Sequence, residues 1–243
     1  MEELFAGNSD RITRAYFDSL LLEMRHIDGR IPDTTFCLYG KTFDTPIMTA
    51  ALSHLDHLRP DSMAELARGA AMAKAVNWVG MGEKEELEKI TKVPSQTIKI
   101  IKPYADNQMI FDKIAHAEKC GCLAVGIDID HAFDSAGQYD NIHGHAMSSK
   151  SLEELKEFAS STSLPFIVKG VLSERDAYQC LSAGAGGIVV SHHHGIMDYA
   201  IPPLTILPDI LRAVNREIPV FVDCGIASGM DAFKALALGA TAG

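Results

Sequence analysis

From about Asp44 onward, short apolar runs alternate with amphipathic stretches along the chain. The runs at 46–52, 76–80, 97–103, 123–130, 165–171, 187–191 and 219–223 predict strands. They are nearly continuous in aliphatic residues, the pattern expected of strands covered on both faces. Between them, helical patterns lie at 61–74, 83–90, 107–119, 152–160, 174–183, 208–215 and 230–238. Asp106 and Ser173 precede two of these as N-cap candidates, and Gly121, Gly184 and Gly239 follow helix ends. Seven βα units in succession predict a closed parallel (β/α)8 TIM barrel over an open sheet.

The two ends are less regular. Residues 1–43 precede the barrel, with a helix predicted over 11–26 and then a short extended segment. At 240–243 an eighth strand should begin, so the eighth βα unit reads as truncated. Seven strands alone would leave an open edge with unpaired backbone groups. No linker, low-complexity tract or repeat beyond the βα period interrupts 1–243, and a single domain is expected.

Composition narrows the class. The 243 residues are 47% hydrophobic and 22% charged, enough apolar mass for one large core. A net charge of −10 argues against nucleic acid or an anionic membrane surface as partner. No apolar run reaches membrane-spanning length and Met1-Glu-Glu-Leu is not a secretory start, so a cytoplasmic location is expected. Five cysteines, an odd number, point to reduced thiols. Cys120 and Cys122 invite a metal or redox reading, but one ends a predicted helix and the other begins a strand. Small buried residues are the plainer reading.

In such a barrel, chemistry gathers at the C-terminal ends of the strands. Those ends supply Ala50, Ala51 and Leu52; Met81 and Gly82; Lys102; Asp128 and Asp130; Lys169 and Gly170; Ser191, His192 and His193; and Asp223, Cys224 and Gly225. Lys169 follows four apolar residues, so its ammonium needs an anion, either a ligand or a structural partner. Asp130 either caps a loop or orients a histidine and raises its basicity. Asp223 suits a turn or a ligand hydroxyl. The run His192-His193-His194 admits a metal site, a single catalytic base or no chemistry. Alternation along a strand lets His192 and His194, or His193 alone, share one face.

These residues carry a resemblance. The motifs P-F-I-V-K-G-V (165–171), I-V-V-S-x-H (188–193), D-x-G-I (223–226) and K-A-L-A-L-G-A (234–240) resemble the FMN-dependent α-hydroxy acid dehydrogenases and oxidases. That family includes glycolate oxidase, L-lactate oxidase and flavin-type L-lactate dehydrogenase. The likeness is strongest after residue 160, and 13–34 and 45–53 share it. It implies an FMN-binding oxidoreductase acting on a small molecule, with a tendency to form homo-oligomers. It further implies that Ala50, Ala51 and Leu52 lie along the flavin, with Gly82, Lys102, Asp128 and Ser191 also at the cofactor. Lys169 would stand at the flavin N1–O2 edge, Asp223 and Gly225 along the ribityl chain toward the phosphate. His193 would be the base and Asp130 its carboxylate partner, with no metal required.

The departures from the family pattern are specific. S-N-H-G-G-R becomes Ser191-His-His-His-Gly-Ile196, without the arginine that clamps a substrate carboxylate. The loop after the fourth strand holds no second arginine, and the family's early tyrosine has no counterpart. Lys102 stands where a tyrosine is usual, and Asp128 where a threonine is usual. D-G-G-x-R becomes Asp223-Cys-Gly-Ile-Ala227. A lysine supplies a point charge, not the planar two-donor fork of arginine. The expectation is therefore an FMN-dependent oxidoreductase with an atypical substrate site. A metal-dependent hydrolase using the histidines, or a non-catalytic ligand-binding barrel, is the alternative.

Overall fold

Alternating apolar runs and capped helices build a parallel barrel in the computed structural model, which describes residues 8–134 and 136–243. Helix α1 (Ser9–Ser19) comes first, followed by a hairpin of β1 (Phe36–Leu38) and β2 (Lys41–Phe43). Then come α2 (Ser62–Met72), β3 (Val76–Val79), α3 (Lys84–Thr91), β4 (Gln96–Ile101), α4 (Asn107–Lys119) and β5 (Ala124–Asp128). A second hairpin, β6 (Asn141–Ile142) with β7 (His145–Ala146), precedes α5 (Leu152–Ser160) and β8 (Phe166–Val171). The chain continues through α6 (Glu174–Ser182), β9 (Gly187–Val190), α7 (Pro203–Ala213), β10 (Val220–Val222) and α8 (Gly229–Ala237). Among the described residues no helix is long and apolar enough to cross a membrane.

Six strands pair in parallel, in the order β3-β4-β5-β8-β9-β10. Backbone hydrogen bonds carry the ring past both edges. On one side Thr49 N–H donates to Val76 O and Gly80 N–H to Leu52 O. On the other, Thr241 N–H donates to Val220 O and Val222 N–H to Ala242 O. The two edges meet where Met48 N–H reaches Gly243 O and Gly243 N–H reaches Pro46 O. Residues 241–243 thus occupy the place of an eighth strand, at the edge that seven strands would have left open.

The alternation of strand side chains separates two cores. Val76, Trp78, Ile98, Ile100, Ile167 and Phe221 fill the barrel interior. Val79, Ile101, Val125, Val168 and Val222 face the helices, which explains the uninterrupted apolar runs. Phe36, Leu38 and Phe43 of the first hairpin plug the N-terminal end, where Tyr39 Oη donates to Gly186 O at 2.8 Å. Burying each phenylalanine contributes about 1.5–3 kcal/mol. The opposite end, with the C-terminal strand ends, stays open.

Local signals account for most helix limits. Asp106 caps α4 and Ser173 caps α6, each accepting a backbone N–H. Gly121, Gly184 and Gly239 take φ of +74°, +82° and +109° after helix ends. Other limits differ from expectation. Helix α1 stops at Ser19, not His26, because Leu20 turns to extended backbone and Leu21, Met24, Ile27 and Ile31 are exposed, with no apolar surface among the described residues to cover them. Helix α7 begins at Pro203, and Pro208, the expected start, lies inside it. Strand β5 ends at Asp128, and 129–132 form a 3-10 turn. The 46–52 run is no regular strand, since Leu52 N–H turns back onto Ala50 O.

Candidate functional site at the barrel mouth

The open end collects charge. A cavity of 310 Å³ is lined by Ala50, Leu52, Lys102, Asp128, Lys169 and His193, among others. A second cavity of 240 Å³ shares Ala50, Ala51, Lys169, His194 and Asp223 with it and extends to Gly225. Together they form one groove across the mouth. No arginine lines either part.

Lys169 stands at the centre of the groove. Its Nζ donates to Ser191 Oγ at 3.0 Å and lies 3.2 Å from Asp223, 3.6 Å from Asp128 and 3.9 Å from Asp130. Burial alone would lower the Lys169 pKa, but the three carboxylates outweigh it and hold the ammonium charged. Lys102 Nζ donates to Asp128 Oδ2 at 2.7 Å. Burial would raise the Asp128 pKa, yet Lys169 and His193 hold it well below the ordinary carboxylate value. Asp128 Oδ1 and Asp130 Oδ2 are buried without a hydrogen-bond partner among the described residues.

His193 Nδ1 lies 3.0 Å from Asp130 Oδ1 and 3.4 Å from Asp128 Oδ2. With a proton on Nδ1 directed at the carboxylates, Nε2 is left for the cavity. Burial would lower its pKa, but the two carboxylates push it up to about 9. Asp130 is pushed up to about 6 by burial and by the charge of Asp128. His131 packs edge-on against the His193 ring, with centroids 4.7 Å apart.

The three consecutive histidines do not alternate as strand residues. Strand β9 ends at Val190, and His193 and His194 take left-handed φ of +50° and +52°. His192 turns away from the groove. Its Nδ1 accepts Gly195 N–H at 2.9 Å, which leaves the Nε2 proton for Thr13 Oγ1 of α1 at 2.8 Å. His194 lines the groove, and its backbone N–H reaches Cys224 Sγ. One histidine is paired with carboxylates, one is a structural tie and one is rim.

Of the expected residues, Ala50, Leu52, Lys102, Asp128, Lys169, His193 and Asp223 line the first cavity, and Ala51 lines both. Gly225 lines the second, and Ser191 and Asp130 stand behind Lys169 and His193. Gly82 is the exception. It packs on Glu86 of α3, and a Cβ there would overlap that carboxylate; Gly80 and Met81 line the cavity instead.

Several participants carry no assigned role in the sequence reading, even where, as with Gly170 and Cys224, they stand among the strand ends. Gly170 sits at a β8 register shift with φ +95°, and a Cβ there would stand 2.5 Å from Asp130 Cγ. The K-G pair within an apolar strand was the available signal. His54 and His143, edge-to-face at 5.0 Å, rim the mouth from segments far apart in the chain, which no local pattern joins. Cys224 takes φ +61°, and its thiol donates to Asp223 at 3.1 Å; burial pushes its pKa up to about 12, so it stays protonated. Arg14 of α1 binds both Asp231 oxygens and Gly225 O, fixing the loop before α8.

Asp128, Asp130 and His193 have spacing that a metal ion could use. Lys102 and Lys169 compete for that position, since each ammonium already lies against the same carboxylates. A dication added there would meet two fixed positive charges at short range.

Comparison with known proteins points the same way. The sequence profile of the family described as FMN-dependent dehydrogenase matches residues 5–151 and 134–243. Glycolate oxidase 2 of Oryza sativa subsp. indica is 28% identical over 272 aligned residues, covering 96% of this chain and 72% of the oxidase. L-lactate oxidase of Lactobacillus jensenii is 28% identical over 256 aligned residues, covering 93% of this chain and 62% of the oxidase. Among solved structures, mandelate oxidase with 3,3-difluoro-2-hydroxy-3-phenylpropionic acid matches with a TM-score of 0.86 at 27% identity, covering 96% of this chain and 74% of that one. A mandelate oxidase variant with a monooxide FMN adduct gives a TM-score of 0.85 at 28% identity, with 96% and 75% covered.

Proposed function

From the premise that this chain belongs to the FMN-dependent dehydrogenase family, we propose that it oxidises a small 2-hydroxy carbonyl compound to its 2-oxo product at the barrel mouth. The observation that carries the reading is one juxtaposition. His193, held by Asp130 at 3.0 Å, shares a cavity with the buried ammonium of Lys169. A base and a fixed cation beside one cavity are what removal of a proton and two electrons requires.

The donor set suits FMN. Ala50 and Ala51 offer a wall of small side chains, and Gly80 lies so close behind Ala51 that a Cβ would come within 2.6 Å of its carbonyl oxygen. Lys169 would stand at the ring's carbonyl edge, and Ser191 would hold the lysine there. The unpaired Asp128 Oδ1 is an acceptor for a ring N–H. Asp223 and Gly225 would hold the ribityl chain and admit the phosphate end. Bound FMN supplies a two-electron acceptor.

The chain's own residues do the rest. His193 Nε2 would take a proton from the substrate, while Asp130 keeps Nδ1 protonated and stabilises the resulting imidazolium. Lys169 would balance charge arriving on the cofactor side. Lys102, fixed by Asp128, would present its remaining N–H donors to the substrate. The relatives include oxidases of glycolate, lactate and mandelate, which supports small 2-hydroxy compounds as the size class.

The test is anaerobic. The FMN-loaded protein is mixed with lactate, mandelate and their methyl esters, and the flavin absorbance is followed. Bleaching by at least one of the four is expected; full retention of the oxidised spectrum with all four overturns the reading.

The reading extends to setting. A single FMN-binding domain in the cytoplasm agrees with five free cysteines, since thiols persist in reducing compartments. A homo-oligomer is supported by Leu21, Met24, Ile27 and Ile31, which are 79% or more exposed on one segment. Light scattering of the purified protein checks the second point, with a mass above 26.4 kDa expected.

A further inference from the structure

The groove is electrically complete without a ligand. Asp128, Asp130 and Asp223 face Lys102, Lys169 and His193, and every one of the six lies within 4 Å of an opposite partner. Asp128 and Asp130 favour the protonated form of His193, and with that proton in place three negative and three positive groups balance. When His193 releases its proton to serve as a base, the cluster becomes negative. A substrate carboxylate would then enter a buried, negatively charged site lined by no arginine.

Lys102 does not repair this. Its ammonium is 12% exposed at the side chain and lies 2.7 Å from the Asp128 carboxylate, which neutralises it. An ammonium carries three N–H donors, and Asp128 takes one. What Lys102 retains is hydrogen-bonding capacity toward a neutral acyl oxygen, with no charge left over for an anion. Lys169 is likewise committed, to Asp223, Asp128 and Ser191.

We propose that this mouth selects an uncharged 2-hydroxy carbonyl substrate, an ester or amide in preference to a free 2-hydroxy acid, with Lys102 donating to the acyl oxygen. The inference rests on the oxidation proposed above and names its substrate class. In one turnover the carbinol carbon and oxygen lose two electrons and two protons. His193 would take one proton, and FMN, held by Lys169, Ser191, Asp128 and Asp223, would supply the acceptor for the two electrons and the second proton. The C–OH becomes C=O, and the neighbouring ester or amide is unchanged.

The experiment reads binding separately from turnover. FMN-loaded protein is titrated with pyruvate and with methyl pyruvate, non-reducing probes of equal skeleton, and flavin difference absorbance gives each Kd. The ester is expected to bind at least tenfold more tightly. In Asp128→Asn the Lys102 charge is uncovered, and the preference should narrow or reverse toward pyruvate. Equal or tighter pyruvate binding by the unmodified protein, or no binding of either probe, overturns the selection. An unmoved preference in Asp128→Asn overturns its electrostatic origin. Tight ester binding without flavin bleaching by any 2-hydroxy compound would leave the selection standing and remove the oxidation.

Discussion

Gly170 and Asp130 occupy complementary space: a Cβ on the glycine would stand 2.5 Å from the aspartate's carboxyl carbon and 2.7 Å from its Oδ2. The register shift between Lys169 and Val171, with φ +95° at Gly170, opens the room in which Asp130 reaches His193. A single glycine therefore links the strand that carries the buried lysine to the carboxylate that orients the base.

Gly170→Ala should accordingly damage both stability and function. Forcing a side chain into this backbone conformation costs roughly 1–3 kcal/mol. Displacing Asp130 should also lower kcat/KM at least tenfold. Urea unfolding and steady-state kinetics check the two effects, and a variant with unchanged kcat/KM would separate Gly170 from the site.

The pH profile follows from His193. Its pKa, lowered by burial but raised overall by Asp128 and Asp130 to about 9, keeps it protonated below that value. A base must be neutral, so kcat/KM should climb with pH and level off above about 9. Asp130→Asn removes one raising charge and should move the acid limb to lower pH. The same pairing should stabilise the fold fully below pH 6.5 and lose that contribution as pH rises through 9. Thermal unfolding from pH 6 to 10 reads the second effect.

His192 and His193 should separate cleanly on mutation. His192 is 3% exposed and ties the 191–195 turn to α1 through Gly195 and Thr13. His192→Ala should cost about 1–3 kcal/mol by leaving buried partners unpaired, with FMN uptake preserved. Chemical denaturation and FMN titration together check this; loss of FMN binding without loss of stability would contradict it.

At the other contact of α1, Asp231 accepts from Arg14, Ser228 and Ala227 N–H. The Arg14 hydrogen bonds pull its pKa down to about 2. A depressed carboxylate stabilises above its unfolded value of 3.8, and that contribution disappears as pH falls toward 2. Asp231→Ala should lower stability at pH 7 by about 1.5–3 kcal/mol, the range for a charge-assisted hydrogen bond, with little difference from the unmodified protein near pH 2.

Much of this was legible in residue order, for reasons that differ by element. The run Phe166–Val171 was placed to within a residue because a strand buried on both faces is apolar throughout. Ser173 and Asp106 marked helix starts because their side chains satisfy free backbone N–H groups. The turn at 129–132 was not legible, since Ile129 and Asp130 continue the strand pattern until Asp130 folds back toward His193. The histidine run misled for the same reason, because alternation fails once His193 and His194 turn left-handed. Partners such as Lys102 and Asp128 meet only when β4 and β5 align, so their mutual neutralisation needed the register.

The most direct measurement is the rate of anaerobic flavin reduction in FMN-loaded His193→Ala beside the unmodified protein, with one reducing 2-hydroxy compound at saturation. A base at His193 predicts a loss of about 10²–10⁴-fold with FMN still bound. Reduction at the unmodified rate, with FMN retained, would contradict it.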